Sequence, residues 1–234
     1  MEFPRKKELA LCLMVFGWVT FASGLEVPAR HEHSLKSCDG VLQADEHGLR
    51  FTPSQASRKD HVYDWKWQDV QRLAVSPSRL EVLTYQDVRW RLGADRSQIF
   101  RAKSEGDFEA IYNLLKDTLD QRLVAKLADA SVITLRQIPV KRLGRIEGSE
   151  GWLKIGADRI VYESSKHSQS MTWRYKDIQN INSAGSLRLS LTTAQQDFHF
   201  QLKQELGDAE YDDLWRRVLG AQGLRVFGAK PSER

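Results

Sequence analysis

The chain has 234 residues, 35 of them Lys or Arg and 31 Asp or Glu, for a formal net charge of +4. Both signs are interspersed and the longest basic run is Arg5-Lys-Lys7, which speaks against a dedicated nucleic-acid face. The length fits one or two domains.

Arg5-Lys-Lys7 is a basic start, followed by an apolar stretch from Leu9 to Ala22. That stretch is shorter than the roughly 20 residues a spanning helix needs. Thr20-Phe-Ala22 and Ala22-Ser-Gly24 are small-x-small cleavage sites. Residues 1–24 therefore read as a cleaved secretory signal, placing the mature protein in a secreted or periplasmic location. An uncleaved N-terminal helix acting as an anchor is the alternative. Cleavage removes Cys12 and leaves Cys38 alone, so no intramolecular disulfide is expected.

Domain one is expected over 29–128, with Glu26 to Arg30 as a lead-in. A strand runs from His31 through Cys38 to Ala44, turns at Gly48, and returns over Leu49 to Pro53. His61 to Gln68 alternates with period two, Tyr63, Trp65 and Trp67 sharing one face. Asp69 marks a bend. Strands follow at Leu80–Thr84, Val88–Leu92 and Ile99–Lys103, turning at Gln86-Asp87 and Gly93-Ala-Asp95. Phe108, Ile111, Tyr112, Leu115 and Leu119 recur at helical spacing, with Ser104 or Asp107 as cap. Leu123, Val124 and Leu127 extend that stripe toward Ala130. Val132 to Ile138 is a linker or an added edge strand.

Domain two, 132–222, repeats this plan and ends in a polar tail, 223–234. Trp65-Lys-Trp67-Gln-Asp69-Val70 returns as Trp173-Arg-Tyr175-Lys-Asp177-Ile178. Gly40-Val-Leu42 returns as Gly151-Trp-Leu153, and Leu49-Arg-Phe51 as Ile160-Val-Tyr162. A period near a hundred residues is too long for a solenoid and long enough for a core in each copy. The fold class is α+β, mainly β: two tandem open barrels of about seven antiparallel strands, each closed by a helix.

The aromatic-x-Asp passage and the closing helix resemble the pleckstrin-homology-like superfold, and within it the GRAM and bacterial PH-like families. That resemblance implies an adaptor fold whose ligands are lipid headgroups, peptides or other domains; fold alone does not fix function. It also implies where a phosphoinositide would bind, on basic residues of the first hairpin. In domain one the matching hairpin, Gln43 to Arg50, carries Asp45 and Glu46 at its tip. In domain two Lys154 and Arg159 are present, beside Asp158. At most weak, peripheral membrane contact is expected.

His31-x-His33 with Cys38 is the sharpest chemical constellation, because residues two apart on a strand share a face. These three are candidate metal ligands, for zinc above all, with His47 or His61 within reach after folding. Otherwise no cofactor is expected. No Gly-x-Ser-x-Gly elbow or phosphate-binding loop occurs. Trp65, Trp67, Asp69, Trp173, Tyr175 and Asp177 read as structural, the two aspartates accepting backbone hydrogen bonds and the rings packing in cores. The functional expectation is a non-catalytic interaction module binding a protein or cell-envelope component. The alternatives are a metal-dependent or hydrolytic enzyme using His31, His33 and Cys38, and an anionic-lipid binder.

Overall fold

The computed structural model describes residues 24–33, 37–55, 61–88, 91–144 and 147–223. The expected signal segment, apart from Gly24, and most of the expected polar tail lie outside these residues. The first half contains β1 (Leu25–Glu32), β2 (Cys38–Ala44), β3 (Gly48–Pro53), β4 (Tyr63–Lys66), β5 (Val70–Val75), β6 (Arg79–Val88), β7 (Arg91–Ala102) and α1 (Asp107–Leu115). A short β8 (Leu123–Ala125) follows. The second half contains β9 (Thr134–Leu143), β10 (Ser149–Gly156), β11 (Arg159–Ser164), β12 (Met171–Arg174), β13 (Ile178–Ser183), β14 (Arg188–Thr193), β15 (Asp197–Leu202) and α2 (Asp208–Ala221).

The strand orders are the same in both halves. The first runs β5-β6-β7-β1-β2-β3-β4 and the second β13-β14-β15-β9-β10-β11-β12. Each is a seven-stranded open barrel of the pleckstrin-homology type, closed by one amphipathic helix. Two cores result. One gathers Leu42, Phe51, Trp65 and Phe100 under Phe108 and Ile111 of α1; the other gathers Leu153, Tyr162, Trp173 and Phe200 under Leu214 and Val218 of α2. Each fully buried apolar side chain contributes roughly 1.5–3 kcal/mol. The repeated glycines sit where strands crowd. A Cβ on Gly40 would overlap the Thr52 carbonyl and the Phe51 ring, and one on Gly151 the Glu163 carbonyl.

Several expectations need correction. Glu26 to Arg30 is no lead-in but part of β1, with Val27, Ala29 and His31 facing inward. Pro28 disguises it, yet the β7 ladder begins only at Ala29, so the missing proline N–H falls outside it. Pro139 sits likewise in β9, where the β15 ladder starts at Val140. The segment Val132 to Ile138, expected as linker or added edge strand, supplies the start of β9: from Thr134 to Ile138 it pairs with β10 alone, and β15 joins the same strand only from Val140.

His61 to Gln68 does not form one strand: β4 ends at Lys66 and Trp67–Asp69 make a single 3-10 turn. Gly93-Ala-Asp95 is not a turn but lies inside β7, Gly93 at φ +73° beside a register shift, and Gln86-Asp87 belongs to β6. The residue before α1 is Gly106, at φ +88°; Asp107 instead accepts the Ser104 N–H at 2.8 Å. The helix stops at Leu115, and Leu123, expected on its stripe, opens β8. β8 pairs in parallel with β5, Leu73 opposite Leu123, and antiparallel with β12, Thr172 opposite Ala125. It joins the two barrels into one continuous sheet.

Candidate functional site

The junction that β8 creates is held by buried polar contacts. Asp129, just beyond β8, accepts hydrogen bonds from the Tyr112 hydroxyl (2.9 Å), the Ser131 N–H (2.8 Å) and the Arg159 guanidinium of the second half. Burial opposes its ionisation, but the Ser131 bonds, Tyr112 and Arg159 outweigh it and hold the carboxyl at about 2. Burial, then the charge of Asp129, pushes the Tyr112 phenol well above its ordinary range. The Asp129 N–H donates to Thr172 Oγ1 (3.0 Å), which donates to the Leu127 carbonyl (2.8 Å).

Arg174, the basic residue of the second Trp motif, reaches across to the end of α1. Its guanidinium donates to the carbonyls of Lys116 (2.5 Å), Leu119 (2.7 Å) and Asp120 (2.7 Å). Lys116 is the cap residue of α1, whose carbonyl the helix end leaves without an internal partner, and Leu119 and Asp120 lie in the turn beyond it. Asp177 accepts from the same guanidinium at 2.5 and 3.0 Å, so its partner is a side chain and not the backbone N–H expected. Burial, ahead of that favourable partner, raises the Asp177 carboxyl above its ordinary value. Asp69, its counterpart, is exposed. Trp65 and Trp173 are core rings, Tyr175 donates to the Gly156 carbonyl at 2.6 Å, and the half-buried Trp67 donates to the Asp45 carbonyl at 3.1 Å.

Beside the junction lies a cleft of about 120 Å³, lined among others by Arg72, Val124, Met171, Trp173, Gln196 and Phe198. Both halves contribute. Among the described residues, the buried donors Trp173 Nε1 and Arg72 Nε find no acceptor, and both side chains line this cleft. An unmet buried donor costs about 1–3 kcal/mol. Sequence periodicity assigned Trp173 to the core correctly but could not show where its N–H points.

The predicted trio does converge, at the other end of the first barrel. His31 stands opposite Cys38 in the β1–β2 register, and the ligand atoms of His31, His33 and Cys38 lie within 4.8 Å of one another. His61, entering β4, completes the group: its Nδ1 is 3.7 Å from Cys38 Sγ. His47 does not join; it lies exposed in the β2–β3 turn beside Glu46. His31 is fully buried, with Nε2 at 2.7 Å from Gln98 Oε1. Burial above all pushes its pKa to about 4, with His33 and His61 adding to the effect against the Gln98 bond. The ring is therefore neutral at ordinary pH and offers a lone pair. A nucleophilic thiol needs one base and a substrate path; here three imidazoles surround a sulfur whose residue is 6% exposed.

The hairpins matched to a phosphoinositide site are the second ones, β2–β3 and β10–β11, because β1 and β9 precede them. Lys154 is paired with Glu163 at 2.8 Å, and Arg159 is committed to Asp158 and Asp129.

No protein-family model matches the chain, and no curated protein matches it. Among solved structures, the N-terminal PH domain of human ARAP2 is similar over 42% of this chain and 92% of its own, at 18% identity and a TM-score of 0.32. The Spt16D Pob3N heterodimer covers 74% of this chain and 84% of its own, at 12% identity and 0.32. The C-terminal domain of an unknown protein from Leishmania infantum covers 38% and 87%, at 16% identity and 0.32. At this distance the fold rests on the strand order itself.

Proposed function

We propose that this chain is a non-catalytic interaction module, in which two PH-like barrels act as one rigid body and the junction cleft receives an acceptor group of a protein or envelope partner. The observation that carries this reading is the pair of orphaned donors, Trp173 Nε1 and Arg72 Nε, carried by two side chains that line one cleft. A carboxylate or peptide carbonyl entering the cleft is the chemistry that would answer such donors, once their side chains turn toward it. Drug-sized ligands occupy roughly 300–1,000 Å³. The cleft holds about 120 Å³, which suits a single side chain or a chain terminus. Rigidity helps, because a preorganised surface loses less entropy on binding. Secretion or periplasmic export supplies the setting; intact mass of the exported protein, shortened at Ala22 or Gly24, checks that separately.

Quantitative capture from the native envelope fraction tests the cleft. Trp173→Phe keeps the ring and removes only the N–H. Retention of the partner should fall roughly tenfold, the equivalent of one lost hydrogen bond of about 1.4 kcal/mol. Equal retention by wild type, Trp173→Phe and Arg72→Met would place the binding surface elsewhere.

A further inference from the structure

We infer that His31, His33, Cys38 and His61 form a four-coordinate site for a borderline-soft cation of the zinc(II) class. Zinc bonds sulfur at about 2.3 Å and imidazole nitrogen at about 2.0–2.1 Å, so tetrahedral geometry puts each nitrogen roughly 3.6 Å from the sulfur. The three imidazoles approach Cys38 Sγ at 3.3 Å (His33 Nε2), 3.7 Å (His61 Nδ1) and 4.0 Å (His31 Nδ1). The sulfur–nitrogen spacings are thus within a few tenths of an ångström of that value, while the ligand atoms of His31, His33 and Cys38 lie within 4.8 Å of one another, so the imidazoles draw together around an ion as it binds. One thiolate with three neutral imidazoles suits zinc, whereas the oxygen-seeking magnesium and calcium ions take carboxylates and carbonyls.

The surroundings orient the ligands. With its Nε2–H donated to Gln98 Oε1, His31 presents Nδ1 to the sulfur, the arrangement by which a second shell fixes a metal-binding tautomer. Phe100 stacks on the His31 ring at 4.8 Å and Tyr63 meets it edge-on at 5.0 Å, so the imidazole is held in place. His33 and His61 are half-exposed, with rings 4.4 Å apart, and give an ion its way in.

The duplicated half shows what this corner does without ligating side chains. By strand register His31 corresponds to Arg142, Cys38 to Ser149, and His61 to Gln169. There Ser149 bonds the Tyr162 hydroxyl at 2.8 Å, and the Arg142 guanidinium lies 5.7 Å from the Tyr162 ring centre and donates to the Gln169 carbonyl at 3.4 Å. One half closes the corner with hydrogen bonds, and the other carries a soft donor set at the same three positions. Binding releases the Cys38 thiol proton to solvent as the thiolate joins the cation. The ion ties the start of β2 to the segments leaving β1 and entering β4.

Cobalt(II) and zinc(II) added to the reduced, metal-stripped full chain test the site. One equivalent of cobalt should give a thiolate-to-metal charge-transfer band with intense tetrahedral visible bands, both displaced by zinc. Cys38→Ala should abolish the charge-transfer band. Gln98→Ala, which touches no ion, should weaken affinity about 10–100-fold, the usual effect of losing a second-shell partner. Because Cys38 is buried, its variant is paired with His33→Ala/His61→Ala, at the half-exposed positions, whose fold far-UV circular dichroism verifies. Zinc should also slow alkylation of Cys38, mapped by peptide mass, in wild type but not in that double variant. Failure to take up stoichiometric cobalt, a charge-transfer band that survives Cys38→Ala, or wild-type affinity in the folded double variant would each overturn the assignment.

Discussion

Arg174→Met measures how firmly the two barrels are joined. The substitution keeps a long apolar stem and removes the guanidinium. It removes the guanidinium from three carbonyls at and just beyond the end of α1, leaving Leu119 its Lys176 contact and Asp120 its Leu123 N–H, and takes from Asp177 the cation it is hydrogen-bonded to. Breaking one side of a buried ion pair costs about 3–5 kcal/mol, and a domain's whole stability is about 5–15 kcal/mol. Arg174 is 7% exposed, which puts the expected loss in that range. Urea denaturation followed by tryptophan fluorescence and far-UV circular dichroism reads it directly. The loss should come with separation of the two halves into distinct transitions, since the guanidinium bridges them. The sign of the pH response is fixed as well. The Asp177 carboxyl already sits above its ordinary value, so its protonated form favours folding; that contribution is complete below the unfolded pKa and lost as pH rises through the folded one. Without Arg174 the folded value rises further, and the deficit should shrink as pH falls from neutrality into the carboxylate range. Arg174→Met/Asp177→Leu should recover part of the loss by leaving no unpaired charge. A deficit below about 1 kcal/mol, or strict additivity of the two substitutions, would refute the view of Arg174 as the clasp.

Trp65→Ala should destabilise the first barrel by roughly 3–5 kcal/mol in denaturant melts, as large core truncations do. Asp129, held at about 2 when folded, contributes stability present above its unfolded value near 3.9 and lost as acid approaches 2. Asp129→Asn should remove that acid-sensitive part, roughly 1–2 kcal/mol once solvent screening is allowed for, as seen in stability measured from neutral pH downward. Gly40→Ala should cost about 1–3 kcal/mol, because its Cβ meets backbone that cannot step aside; an unchanged melting temperature would show that the β2–β3 contact yields.

The duplication was legible because its signals are packing signals. Trp65 and Trp173, Gly40 and Gly151, Phe51 and Tyr162 each fill the same place in a barrel, so they keep the same order in both halves, with only the loop before the tryptophan differing in length. The first strand of each half is only partly legible, His31 merging into the next strand and Val132 to Ile138 reading as linker or edge, because β1 and β9 each contain a proline. The sign was present all the same: Pro28 and Pro139 each precede the repeated glycine by 12 residues (40 − 28 and 151 − 139). β8 was read as helix because three apolar residues after a helical stripe have no period of their own; a parallel partner 50 positions away decides their shape. The convergence of His31, His33 and Cys38 followed from strand alternation and sequence proximity. His61 and Gln98 arrive through the strand order, and the orphaned donors of the cleft depend on side-chain direction, which spacing does not record.

β8 also sets an order of events during synthesis. Chains emerge N-terminus first, and domains fold as they appear. The first barrel can add β8 to β5 before β12 has been made, leaving the far side of β8 as a temporary open edge. Long open edges invite pairing with other chains, and very short ones are a common safeguard. At three residues, with one residue pair to β12, β8 offers a docking point for the second barrel and little foothold for a stranger. Lengthening β8 by two or three apolar residues would be expected to stabilise the finished protein and to raise aggregation of the half-made one.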